Sequence, residues 1–210
     1  MTTEELDNFF YDSLKATYSK ASDMEMNDLR IPANVLRSTS AFTEPRELAS
    51  LPAFVNSQIP SLPKRLKRAG TPSLIVLSPS GIRAADVVRA LKSVRVPEGA
   101  DGAETGKPPG EVGKLFAKHF KASEQIEYLN ATKIWAAAGT PGRIGKILSD
   151  SDALTIRQQT VILLDLSYRD TKNRTLLTIP EIRDEFWKVL FGDKKVREKL
   201  LTTGVKIAVF

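Results

Sequence analysis

Cysteine is absent from all 210 residues, and histidine occurs once, as His119. Without thiols there is no disulfide scaffold and no thiolate chemistry, and the usual zinc sites built from cysteine and histidine are excluded. His119, in "AKHFK", has no carboxylate or cysteine close to it in sequence, a setting that fits a packed or partly exposed ring better than a catalytic base. No apolar run approaches the roughly 18 residues of a membrane span. The opening "MTTEELDNFF" carries acids where a secretory leader carries a basic flank and a long apolar stretch. A soluble, intracellular protein is the expectation.

What is present suits one sizeable core: 41% of residues are hydrophobic and 27% charged. The net charge of +6 is unevenly placed. Residues 1–60 hold five Lys/Arg against nine Asp/Glu, whereas residues 61–95 hold eight against one. The basic character therefore centres on "PSLPKRLKRAG", with Lys64, Arg65, Lys67 and Arg68, and on the segment that follows. Such a block suits a polyanion; it is equally readable as a solvated helix face or an import patch.

Along the chain, residues 1–43 mix short helical periodicity with extended polar sequence and read as an N-terminal extension, and residues 44–210 read as the main domain. Leu48, Leu51, Phe54, Val55 and Ile59 predict a short helix stopped by Pro60 and Pro63. "SLIVLS" (73–78) is a buried strand by its continuous apolar run, and "GIRAADVVRALKSV" behind it is a helix with Ile82, Ala85, Val88 and Leu91 on one face. Residues 95–113 read as a Gly/Pro-rich loop. After "KLFAKHF" come a helix "SEQIEYLN", a strand "KIWAAA", a Thr-Pro-Gly-Arg turn, a helix "GRIGKILSD" and a strand "TVILLDLS". Two further helices and a last strand "VKIAVF" close the chain. Alternating strands and helices predict an α/β fold with a mostly parallel sheet covered on both faces. Trp135 and Trp187 lie in apolar segments and read as core.

Two stretches invite a phosphate. "GAETGK" (102–107) imitates a nucleotide-binding loop, but it has three residues between its glycines where four are needed, Pro108 follows the lysine, and no strand precedes it. The turn Thr140-Pro141-Gly142-Arg143 is more interesting. A helix that starts there presents unpaired N–H groups and the positive end of its dipole to any anion, and Arg143 adds a charged fork. The alternative is that these residues merely start the helix well, with Gly142 allowing close approach of a neighbour.

"SLIVLSPSGIRAADVVRAL", "IWAAAGTPGRIGKIL" and "LTIRQQTVILLDLSYRD", in this order and spacing, resemble the first RecA-like domain of DEAD-box RNA helicases. "LFAKHFK", "GTPGRIGKIL" and "GVKIAVF" resemble more closely the CMS family of small-subunit ribosome-assembly proteins. The resemblance implies a single RecA-like domain and RNA contacts at Thr140, Gly142 and Arg143, with Pro141 shaping the turn. From the segment after the first strand Pro79 and Ser80 correspond, while Gly81 stands where those helicases have arginine and Arg83 is the candidate substitute. Departures matter as much. No phosphate loop precedes "SLIVLS", and at the position of the helicases' Asp-Glu-Ala-Asp stand Asp165, Leu166, Ser167 and Tyr168. Nucleotide hydrolysis needs a phosphate-binding lysine loop and acids that position magnesium and water.

The expectation is thus a non-catalytic module with no cofactor, metal, nucleotide or membrane partner. It would bind pre-ribosomal RNA through Ser80, Arg83, Thr140, Gly142, Arg143 and the 64–68 cluster, beside small nucleolar ribonucleoprotein and assembly proteins in the nucleus and nucleolus. A protein-only scaffold is the competing reading.

Overall fold

The computed structural model describes residues 1–59, 66–95, 106, 108–117, 120–202 and 204–210. Lys64, Arg65, His119 and nearly all of "GAETGK" lie outside the described residues.

Five parallel strands form one open sheet in the order β2-β3-β1-β4-β5. They are β1 (Leu74–Leu77), β2 (Glu111–Leu115), β3 (Ile134–Gly139), β4 (Val161–Leu164) and β5 (Lys206–Val209). Leu77 is in register with Gly139 on one side and Leu164 on the other, Leu115 with Gly139 and Val209 with Leu164, so all five strands end at one level. β1, β3 and β4 are buried along their whole length, as strands covered on both faces must be.

Successive side chains of a strand point to opposite faces, and two cores result. Leu74 and Val76 pack with Phe54, Val55, Val87, Val88 and Leu91, beneath α3 (Leu51–Gln58) and α4 (Gly81–Leu91). Ile75 and Leu77 pack into the second core with Leu129, Ile144, Ile147, Leu148 and Val196. Those residues come from α5 (Ala122–Ala131), α6 (Pro141–Asp150) and α8 (Lys194–Leu200). α7 (Pro180–Asp184) runs on into a π-helical segment, Glu185–Phe191. Its wider turn turns Phe186, Trp187, Leu190 and Phe191 inward together. Trp135 and Trp187 are core residues.

The N-terminal residues belong to the second core. α1 (Thr3–Thr17) and α2 (Asp23–Leu29) are each started by a reciprocal capping box, Thr2 with Glu5 and Ser22 with Glu25. Leu6, Phe10 and Leu14 are buried among Phe186 and Trp187, and the Trp187 indole N–H donates to Ser13 Oγ at 2.9 Å. Further on, residues 36–46 seal the β5 edge of the sheet. Leu36 bridges Ile207, the Arg37 N–H donates to the Ile207 carbonyl, and Thr39 and Arg46 both donate to the Val209 carbonyl. An edge strand left with open backbone groups is a template for unwanted pairing, and here the chain covers its own.

Two local expectations are corrected. The loop expected over 95–113 contains the start of a strand, because Val112 and Leu115 are buried against β3 although glycines interrupt the apolar pattern. In α4 the inward stripe is Ala84, Val87, Val88 and Leu91, while Ile82 is 66% exposed. At 3.6 residues per turn Ile82 falls on the opposite face of the helix with Asp86 and Arg89, so it has no sheet to cover.

Candidate nucleic-acid interface

The helix after β1 covers β3 and β2 and leads toward β2, while β4 is followed by β5 on its other side. Connections that part in opposite directions open a crevice beyond the strand ends between β1 and β4. Ser78 to Arg83 flank that crevice from β1, and Asp165 to Tyr168 from β4. The Thr-Pro-Gly-Arg turn follows the adjacent β3.

Arg83 fills the crevice itself. Its Nε donates to Asp165 Oδ2 at 2.7 Å and its Nη2 to Asp165 Oδ1 at 3.2 Å and to Ser167 Oγ at 2.9 Å. Ser167 Oγ donates in turn to the same carboxylate at 2.7 Å, and the guanidinium lies 5.5 Å from the centre of the Tyr168 ring. Arg83 is only 10% exposed and Asp165 1%. This is a two-pronged, desolvated ion pair, whose geometry matches guanidinium to carboxylate. Leu166 turns into the second core. Ser80 caps α4 by accepting the Arg83 N–H at 3.2 Å.

At the neighbouring turn an internal carboxylate occupies the anion position. The Gly142 N–H donates to Glu185 Oε2 at 3.1 Å, so the start of α6 meets a negative charge from the π-helical segment, a favourable placement against the helix dipole. A Cβ on Gly142 would stand 2.7 Å from that oxygen, and one on Gly145 would stand 2.5 Å from Val189 Cγ1. The two glycines let the segments lie this close. Thr140 makes no side-chain cap.

Arg143 differs from Arg83. Its Nη1 donates to the Phe120 carbonyl at 3.0 Å and to Gln125 Oε1 at 2.9 Å, while Gln125 Nε2 holds the Lys114 and Phe116 carbonyls. Its partners are neutral, and it forms no ion pair among the described residues. Phe120, 40% exposed, stacks edge-on to Phe116 with ring centres 6.2 Å apart. The start of α4 is close by, since a Cβ on Gly81 would touch the Phe116 ring at 3.2 Å.

The candidate residues therefore do not form one cluster. Ser80, Arg83, Thr140, Gly142, Arg143 and Asp165 to Tyr168 meet at the strand C-terminal edge. Lys67 and Arg68, both exposed, precede β1 and lie at the opposite edge, separated by a four-residue strand, about 13 Å at roughly 3.3 Å per residue. Sequence reasoning missed Glu185, Gln125 and Phe120. Nothing in a helical "RDEFW" points to a glycine 43 positions earlier, whereas the exposed Phe120 between two lysine-bearing segments was a readable signal.

A cavity of about 640 Å³ runs along β2 from Phe120 and Gln125, the partners of Arg143, to Gly110 and Glu111 at the start of the strand, with Leu91, Val112, Tyr128 and Trp135 also lining it. The Tyr128 hydroxyl donates to Glu111 Oε2 at 3.0 Å; burial first, and then that carboxylate, raise it above the ordinary tyrosine range. Lys92 and Lys114 there are balanced by Glu111 and Glu124, which does not favour a phosphate. Among the described residues no helix is long and apolar enough to cross a membrane, and no group of acids and histidine has the makings of a metal site.

The fold and this edge define a class, a single RecA-like α/β domain whose crevice is closed by its own arginine and aspartate. The chain belongs to the family described as "CMS1: U3-containing 90S pre-ribosomal complex subunit", which matches residues 1–210. It is 34% identical over 175 residues to Protein CMS1 of Chaetomium thermophilum, covering 82% of this chain and 65% of that protein. It is 30% identical over 197 residues to Protein cms1 of Schizosaccharomyces pombe, covering 94% and 66%. Protein CMSS1 of Homo sapiens is 27% identical over 170 residues, covering 80% and 54%. The chain thus spans about half to two thirds of the length of these relatives.

Proposed function

We propose that the chain is a non-catalytic ribosome-biogenesis factor of the early small-subunit pre-ribosome. It works in the nucleus and nucleolus, and its degenerate helicase lobe contacts pre-ribosomal RNA and neighbouring small nucleolar ribonucleoprotein and assembly proteins. The observation that carries this reading is the Arg83–Asp165 pair. In a hydrolysing domain the acid of this strand end would face magnesium and water; here it is a counter-charge for a buried guanidinium. An acid engaged in this way is not free to position magnesium and water, and the chemistry it leaves to this edge is binding. The family's description as a subunit of a U3-containing particle supports the same role.

At the C-terminal edge Arg143 is the RNA-contact residue, a cation held in position by neutral acceptors, with Thr140 beside it and the Phe120 ring available to a base. Contact of this kind is weakly selective for sequence and weakens with salt. The Glu185 carboxylate at the start of α6 favours a second reading in which this edge meets only proteins. Purifying the tagged protein from its own cells at low salt and sequencing co-recovered RNA tests both. Enrichment of small-subunit precursors that is lost in Arg143→Ala supports RNA contact. Particle association without dependence on Arg143 supports the protein-only reading, and recovery of unrelated RNA or none overturns the ribosomal one.

A further inference from the structure

The strand N-terminal edge holds a second set of cations, on a face distinct from the one just considered. Lys133 immediately precedes β3, Lys67 and Arg68 lead into β1, and Arg157 leads into β4. These three strands are neighbours in the sheet. Their leading segments are joined by hydrogen bonds. The Gly70 N–H donates to the Thr132 carbonyl at 3.0 Å, and the Thr155 N–H to the Gly70 carbonyl at 2.8 Å. Thr71 Oγ1 donates to the Arg68 carbonyl at 2.9 Å. Thr160 Oγ1 donates to the Pro72 carbonyl and accepts the Arg157 N–H, both at 3.1 Å. Gly70 is needed at the centre, with φ +59° and the Ala153 carbonyl oxygen 1.8 Å from where a Cβ would stand. The cations are thus rooted on a fixed platform.

Lys67, Arg68 and Lys133 are exposed and Arg157 is half-buried. Among the described residues none of the four forms an ion pair. Of the acids nearby, Asp152 is engaged by Lys199 at 2.7 Å, and Glu111, whose N–H donates to the Lys133 carbonyl, accepts the Tyr128 hydroxyl at 3.0 Å. Helix C-termini end at this edge and would repel an anion, but Arg95 donates to the Lys92 and Val94 carbonyls, and Lys199 to those of Leu148 and Ser151. The strongly exposed apolar side chains of the described residues, Met1, Met24, Ile82 and Phe120, lie elsewhere. The apolar cavity beside β2 begins next to Lys133, at Gly110 and Glu111; among the described residues the edge from Lys133 to Arg157 presents a line of charge and no large exposed apolar side chain. With strands about 4.8 Å apart, three adjacent strand starts span about 10 Å, the length of about three stacked nucleotides.

We propose that Lys67, Arg68, Lys133 and Arg157 form a sugar-phosphate-binding surface for single-stranded RNA, which positions the strand without reading its bases. It is independent of Arg143 and lies at the opposite end of the sheet.

The test is fluorescence anisotropy of the full chain with a labelled single-stranded RNA of mixed sequence across a salt series. The wild type is compared with the fourfold variant K67Q/R68Q/K133Q/R157Q and with Arg143→Gln, each checked for unchanged melting. The fourfold variant is expected to bind at least about 100-fold more weakly at low salt and to flatten the log–log salt slope by about 3, at about 0.7 per phosphate contact. Binding by the fourfold variant equal to wild type overturns the proposal; if Arg143→Gln alone abolishes it, the C-terminal-edge reading survives. Loss in the fourfold variant with none in Arg143→Gln sustains this surface and refutes Arg143 as the contact. Polyglutamate competing as well as RNA overturns the assignment to nucleic acid, as does a wild type that binds no RNA.

Discussion

Arg83 and Asp165, 82 positions apart in the chain, meet at 2.7 Å at the crevice between β1 and β4, and both are almost withdrawn from solvent. A charge so placed is tolerable only while its partner remains. Replacing Asp165 by Ala is expected to destabilise the fold by about 3–5 kcal/mol, because Arg83 is left buried without a counter-charge. Replacing both by apolar residues of similar size, R83M/D165L, recovers most of that loss. Urea unfolding of the three proteins measures it, and a double variant no more stable than Asp165→Ala contradicts the ion-pair account.

Glu185 gives α6 its anion. Glu185→Ala removes the acceptor of the Gly142 N–H and a favourable charge at a helix start, a loss of about 1 kcal/mol. The same change opens that position, so RNA binding is expected to tighten even as the melting temperature falls. Anisotropy and thermal melting on one preparation read both; unchanged RNA affinity would mean that the helix start is not accessible to phosphate.

The aromatic contact of Phe10 makes α1 part of the folded unit. Its ring stacks on Phe186 at 6.1 Å and meets Trp187 edge-on at 6.4 Å. Phe10→Ala leaves a large cavity and is expected to cost about 3–5 kcal/mol, with a red shift of Trp187 emission on partial exposure. A single cooperative transition at lower denaturant is the expected trace. A separate early transition of α1 would refute integration.

Asp170 provides one acid-sensitive contact. The Arg174 backbone N–H, then the Arg174 guanidinium and the Lys172 N–H, hold its carboxyl below the ordinary aspartate range. A carboxyl lowered on folding contributes stability above its unfolded pKa of about 3.9, and that contribution disappears as pH falls through the folded value. Between pH 5 and pH 2 (about the range of both values), the melting temperature of Asp170→Asn is expected to fall less steeply than that of the wild type. Parallel curves for the two proteins would exclude Asp170 as a source of the slope.

Much of this protein was determined locally. The apolar runs of β1, β3 and β4 read as strands buried on both faces because four to six consecutive apolar residues between turn signals are long enough for a strand and too short for a helix of about ten or more. The caps of α1 and α2 are written within four residues, and the Thr-Pro-Gly-Arg turn before α6 in four. β2 was hidden because glycine and charged residues in "EVGKL" break any pattern, and an edge strand is recognised by its neighbour β3 rather than by itself. The inward face of α4 was set by where the helix lies over the sheet, a matter of packing that left Ile82 outside.

Only the tertiary structure decided what each cation faces. In sequence Lys67, Arg68, Arg83 and Arg143 are four basic residues in a resemblance to an RNA-binding lobe. Folding sends the first two to one edge of the sheet and the others to the opposite edge, then gives Arg83 a buried carboxylate and Arg143 two neutral acceptors. The physical reason is distance along the chain. Asp165 and Glu185 reach these sites over 82 and 43 positions, and contacts that long are specified by the whole packed core rather than by any local pattern.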